Sequence, residues 1–139
     1  MEIPGNIDVD RTRLICHLQK IVGSRHPSRG RRHLATVEKF IIAEFASYGL
    51  DVTTDSFYHY GEIYHNVVAG LGESRDYPLI ILGAHFDTVV GTFGADNNAS
   101  GVAVLLESAR LLSQLKLDTP MLELQSKRVE IEMRWRTLS

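Results

Sequence analysis

An apolar run that ends in His-x-Asp, crosses a glycine-rich loop and re-enters an amphipathic helix restricts the fold of a chain severely. Residues 78–112, PLIILGAHFDTVVGTFGADNNASGVAVLLESARLL, have this form. Pro78 to Gly83 is an apolar run of strand length bounded by turn formers, which predicts a buried strand of a parallel sheet. At its end stand His85 and Asp87, then a loop punctuated by glycine, then Asp96-Asn97-Asn98-Ala99-Ser100-Gly101. The spacing of Val102, Leu105, Leu106, Ala109 and Leu112 predicts a helix over 100–115 with one buried stripe. Open α/β sheets form their sites just beyond the carboxyl ends of strands, where all these polar groups lie.

The residue types indicate the chemistry. His85 and Asp87 are two apart, so a strand continuing through them would present both on one face. A neutral imidazole is a good zinc ligand, and a neighbouring carboxylate fixes its tautomer. Asp96, Asn97 and Asn98 arrive at a helix start, where Asx side chains act as caps and a carboxylate can also face a cation. The small residues Ala99, Ser100 and Gly101 let the helix approach the sheet. Alone, His-x-Asp is common and fits a structural histidine; the whole ordered set is far more specific.

GAHFDTV followed by GADNNASGVAVLLE resembles the first half of the zinc-binding core of the M28 family of metallopeptidases. The resemblance covers roughly residues 20–115, with GSRHP at 23–27, Tyr48-Gly49-Leu50 and Asn66-Val67-Val68-Ala69 in family order. It implies an α/β fold with helices packed on a mostly parallel central sheet, a sandwich of the zinc exopeptidase and phosphorylase/hydrolase type. It also implies two zinc ions bridged by a carboxylate, with a later Glu-Glu pair supplying a general base and a further ligand. By resemblance, His85 is a zinc ligand and Asp87 is the catalytic-site carboxylate that orients it.

Two departures from the family pattern stand out. The bridging carboxylate should fall at position 97, which is Asn97, with Asp96 beside it. An amide offers one neutral oxygen and cannot bridge two cations as a carboxylate does. Either Asp96 takes the role through a loop shift or the second metal is held weakly. No Glu-Glu pair occurs anywhere in the 139 residues. The expectation is therefore a single partial peptidase domain over 1–139, with a core at 8–115 and an atypical tail at 116–139. At most one zinc, weakly held by His85 with Asp96 or Asn97, should bind. The ancestry is that of a zinc exopeptidase that cleaves peptides or small amino-acid derivatives with a metal-bound water. The chain itself is expected to be inactive, and the alternative is a non-catalytic peptidase-like domain or truncated remnant that acts in binding only.

A formal net charge of −2 gives no electrostatic reason to expect nucleic acid or an anionic membrane as partner. No run approaches the ~20 apolar residues of a membrane span and the polar start is no signal peptide, so a cytoplasmic location is expected. The single cysteine, Cys16, excludes an intrachain disulfide, and its neighbours Leu14, Ile15 and Leu18 suggest a buried, inert thiol.

Ahead of the central stretch, Asp8 or Asp10 can cap a helix with Leu14, Ile15, Leu18, Ile21 and Val22 as its stripe, ended by Gly23. SRHPSRGRRH at 24–33 reads as a solvated basic loop, with a grip on a substrate carboxylate as the functional alternative. A second helix is expected from near Arg32 to Tyr48, with Gly49 beyond its end. Residues 51–60 and 63–70 should form an antiparallel pair, with His59 and His65 as edge-strand surface residues. A later strand near 121–134 would run parallel to 78–85, and Glu130 and Glu132 would share a solvated face. A sheet left incomplete would expose an edge or apolar face, inviting self-association.

Overall fold

The computed structural model describes residues 8–59, 61–71, 80–115 and 129–134, with Ile80 and the last stretch described by their backbone alone. The order is α1 (Arg11–Ile21), α2 (Arg31–Ser47), β1 (Asp51–His59), β2 (Glu62–Leu71), β3 (Ile80–His85), a wide π-type turn at Ala95–Ala99, α3 (Ser100–Gln114) and β4 (Val129–Arg134).

Each helix boundary has a local cause. Asp10 caps α1 by accepting hydrogen bonds from the backbone N–H groups of Thr12 and Arg13, which satisfies donors that the first turn leaves free. Helix α2 ends where Gly49 takes φ +75°, the left-handed conformation that closes many helices. Helix α3 ends at Leu115, which is extended.

The sheet has the order β1-β2-β4-β3. β1 and β2 pair antiparallel from Asp51↔Gly70 to His59↔Glu62, as expected for two β-rich stretches so closely connected. β4 lies between β2 and β3, antiparallel to the first and parallel to the second, with Ile80↔Val129 and His85↔Arg134 in register. A later strand parallel to β3 is therefore present. Of the described pairings only β3–β4 is parallel, so the described strands do not establish the expected mostly parallel sheet. The antiparallel β1–β2 pairing follows from their close connection, because strands joined so closely can only run antiparallel.

The core gathers Ile21 of α1, Leu34, Val37, Ile41 and Phe45 of α2, Val67 and Ala69 of β2, and Val102, Leu105, Leu106 and Ala109 of α3. Three expectations about surfaces fail. Cys16 is exposed and so is Ile15, because the buried positions of α1 are His17 and Ile21. On a helix, 14, 17, 18 and 21 share a face, and a histidine, not an apolar residue, fills it at 17. His65 is not an edge residue: β2 is interior to the sheet, and His65 Nδ1 lies 3.1 Å from Glu38 Oε1. His59, by contrast, is on β1, an outer strand of the described sheet. The solvated face expected for Glu130 and Glu132 concerns side chains outside those described.

Candidate metal centre

Strand β3 delivers His85 at its carboxyl end, and the chain then turns sharply inward. Phe86 is buried in the core, and Asp87 and Thr88 are each 3% exposed, so the His-x-Asp pair is anchored from below. His85 Nδ1 lies 3.1 Å from Asp87 Oδ1. Both ring neighbours, the Asp87 carboxylate and the Asn97 amide oxygen, only accept, and a neutral imidazole donates to one of them; a proton on Nδ1 serves Asp87 and leaves Nε2 as the nitrogen with the lone pair. That Nε2 faces Asn97 Oδ1 at 2.9 Å.

The amides do not cap the helix as expected: neither Gly94 nor Ala99 brings a side-chain cap. Asn97 and Asn98 leave helical geometry and turn back to the strand end, with Asn98 Nδ2 donating to the carbonyl of His85 at 3.3 Å. The small residue at 101 serves this turn. A Cβ on Gly101 would overlap the Asn98 side chain, so the missing atom makes room for the amide. Asp96 is exposed, and its backbone carbonyl accepts from Ser100 Oγ at 3.1 Å. The structure thus brings His85, Asp87 and Asn97 together, while the exposed Asp96 side chain makes no hydrogen bond to them among the described residues.

The basic segment 24–33 departs most from its sequence reading. Arg25 is fully buried. Nε donates to the carbonyl of Phe86 (2.7 Å), Nη1 to those of Ile21 (2.6 Å), Gly23 (2.8 Å) and Phe93 (3.1 Å), and Nη2 to that of Gly94 (3.0 Å). Its backbone N–H donates to Thr88 Oγ1 at 2.9 Å. Burial pulls its pKa down to about 10, against the opposing pull of the Asp87 charge. Gly94, at φ +57°, is required here: a Cβ would overlap Thr88 and stand 2.7 Å from Arg25 Nη2. Nothing in the local pattern of a Pro- and Gly-broken basic loop distinguishes this arginine from its neighbours. Arg31 forms a two-point exposed pair with Glu62 at 2.9 and 2.7 Å, and Arg29 and Arg32 line a shallow groove of about 570 Å³ beside His33.

Among the described residues no three His, Cys, Asp or Glu side chains are grouped to hold a metal ion. His85 and Asn97 could grip one ion at two corners only if they part slightly: with zinc roughly 2.0–2.2 Å from each ligand, atoms 2.9 Å apart close its angle to about 90°, tighter than a tetrahedral site. They do not fit a bridged pair, because Asn97 is neutral.

Residues 66–129 match the sequence profile of peptidase family M28. The chain is 46% identical over 84 residues to the uncharacterized protein YfbL of Escherichia coli (strain K12), covering 55% of this chain and 26% of that protein. It is 52% identical over 45 residues to the BOS complex subunit ncln of Danio rerio, 30% of this chain and 8% of that one. The chain thus spans about a quarter or less of the curated relatives it matches. Its fold resembles Porphyromonas gingivalis glutaminyl cyclase, with a TM-score of 0.69 at 28% identity over 90% of this chain and 45% of that one. It also resembles a leucine aminopeptidase precursor from Bacteroides thetaiotaomicron, with a TM-score of 0.71 at 20% identity over 95% and 48%, a likeness of fold alone. By its motif, by the match of residues 66–129 and by its fold, the chain is related to peptidase family M28.

Proposed function

We propose that this chain carries part of a zinc-exopeptidase site, with peptides or small amino-acid derivatives as the substrate class, and that it holds one zinc ion loosely through His85 and Asn97. The observation that carries this reading is the orientation of His85, with Asp87 on Nδ1 and Asn97 Oδ1 at 2.9 Å from Nε2. Asp87 can accept a hydrogen bond from Nδ1–H, which would keep Nε2 available; Asn97 adds a neutral oxygen; Asn98 ties the turn to the strand end. Zinc, when bound, polarises a carbonyl and activates water. No adjacent glutamate pair is present in the 139 residues to take up a proton at the reacting centre. We therefore expect binding without turnover. Zinc titration of the 139-residue chain should find at most one labile ion, lost in His85→Ala, and no chelator-sensitive hydrolysis of aminoacyl chromogenic substrates. Tight uptake of two ions, or chelator-sensitive turnover, overturns the reading.

A second reading, a binding module without catalysis, is favoured by Asn97 standing where the family pattern has a carboxylate. The likeness to a subunit of a complex agrees with it. Zinc uptake separates the two, since a pure binding module has no need of the ion.

A further inference from the structure

We propose that Arg25 is the positioning residue of this site: its buried guanidinium locks the 86–94 loop at both ends and thereby sets His85, Asp87 and Asn97 at their mutual distances. The inference rests on the reading of His85 and Asn97 as a ligand pair.

The geometry is that of a latch rather than of ordinary packing. His85 and Asn97 are twelve positions apart, and their contact depends on where the intervening loop begins and ends. Arg25 binds the carbonyl of Phe86 at the loop's start and those of Phe93 and Gly94 at its finish. The same group holds Ile21 and Gly23, so the end of α1 is the fixed base from which both loop ends are hung. Phe86 stands between His85 and Asp87, and Gly94 precedes the turn that carries Asn97. A shift at either carbonyl therefore moves a site residue directly. Thr88 of the loop is held as well, with the Arg25 N–H donating to Thr88 Oγ1 and the Arg25 carbonyl accepting from Thr88 N at 3.4 Å.

The planar fork reaches these five carbonyls from three nitrogens, with Nη1 shared among three of them; lysine has three donors radiating from one point. Arg25→Lys keeps the charge, so it separates charge from geometry. If Arg25 merely stabilised the fold, the variant would melt earlier but its folded form would keep the wild-type site. A positioning role instead alters the site while the chain remains folded.

The test measures two quantities on the intact chain: zinc affinity by competition with a chromogenic chelator, and the 15N shifts of the His85 ring in the zinc-free protein. In folded Arg25→Lys, zinc affinity should fall about 10–100-fold, the range seen when a supporting residue of a metal ligand is lost. The His85 shifts should move from one tautomer toward a mixture. Ser28→Ala, in the same loop but bonded to His26 alone among the described residues, should leave both unchanged. Wild-type affinity and wild-type shifts in folded Arg25→Lys overturn the proposal. If circular dichroism shows Arg25→Lys unfolded, Thr88→Val decides: it removes one anchor of the latch without changing volume, and wild-type values there overturn the proposal equally. If the wild-type chain takes up no zinc, the ligand reading fails by itself, and the His85 shifts still decide whether Arg25 sets the ring.

Discussion

Asn97 and His17 are single side chains with measurable consequences. Asn97 holds a position against His85 Nε2 where a carboxylate would add negative charge to the site. Asn97→Asp should tighten zinc binding on the order of tenfold or more, because ligand charge strongly tunes cation affinity. Asn97→Ala should weaken it more than Asp96→Ala, as isothermal titration with zinc can measure. The opposite order would show that Asp96 swings in to serve the metal. His17 sits in a different environment: its Nε2 lies 3.2 Å from Glu44 Oε2 and its Nδ1 is buried without a hydrogen bond among the described residues. Burial lowers its pKa from 6.5, against the pull of Glu44, while Arg13 also lowers it and Glu107 raises it. The unfolded chain therefore takes the proton first as pH falls. Stability should drop as pH falls below about 6.5 and level off once native His17 is protonated. Thermal melts from pH 8 to pH 5 should show this slope, and His17→Leu should flatten it.

At the scale of elements, α3 joins the core to the site. Glu107, only 2% exposed, accepts the backbone N–H of Asp10 at 2.8 Å and two bonds from Arg110 at 2.8 and 2.6 Å. It thus ties the start of α1 to α3, and the Arg110 bond holds its pKa below the usual carboxylate value. Glu107→Ala should cost about 1.5–3 kcal/mol, read as a lower urea midpoint at unchanged slope. At the other end of α3, Gly101→Ala sets two effects against each other. Alanine is the better helix former by about 1 kcal/mol. Its Cβ nevertheless overlaps the Asn98 side chain, which bonds the carbonyl of His85. Zinc affinity should fall even if the melting temperature does not, and unchanged affinity would show that Asn98 is dispensable.

For the whole molecule, the sheet ends in β1 and β3 among the described residues. β3 carries Ile81 at 53% exposure, and unpaired strand edges beside apolar side chains favour association. Sedimentation of the chain should show dimers or larger species at high concentration. Ile81→Lys, a charge of the kind that natural edge strands carry, should shift the distribution to monomer. A chain that is monomeric at all concentrations would count against an open edge. No described helix is long and apolar enough to cross a membrane.

The sequence by itself determined what local chemistry can dictate. The stripe of α3 follows from the 3.6-residue period and the β1–β2 pair from two β-rich stretches in close succession; an aspartate at 8 or 10 and Gly49 mark helix ends because a cap and a left-handed turn need those residues. The His85–Asp87 contact was legible too, since two residues at a strand end are close whatever the rest of the chain does. What only the tertiary structure decided depends on distant segments meeting. Arg25 looked like one basic loop residue among several, yet the carbonyls that bury it belong to α1 and to a loop sixty residues later. His17 and Glu107 look polar, and only the packing of three helices around them makes their burial tolerable. The path of the turn from Gly94, where missing side-chain atoms give Arg25 and the amides room, brings Asn97 rather than Asp96 against His85. A one-dimensional pattern records which groups a chain owns; the partners that desolvate and orient them are fixed only when the layers close.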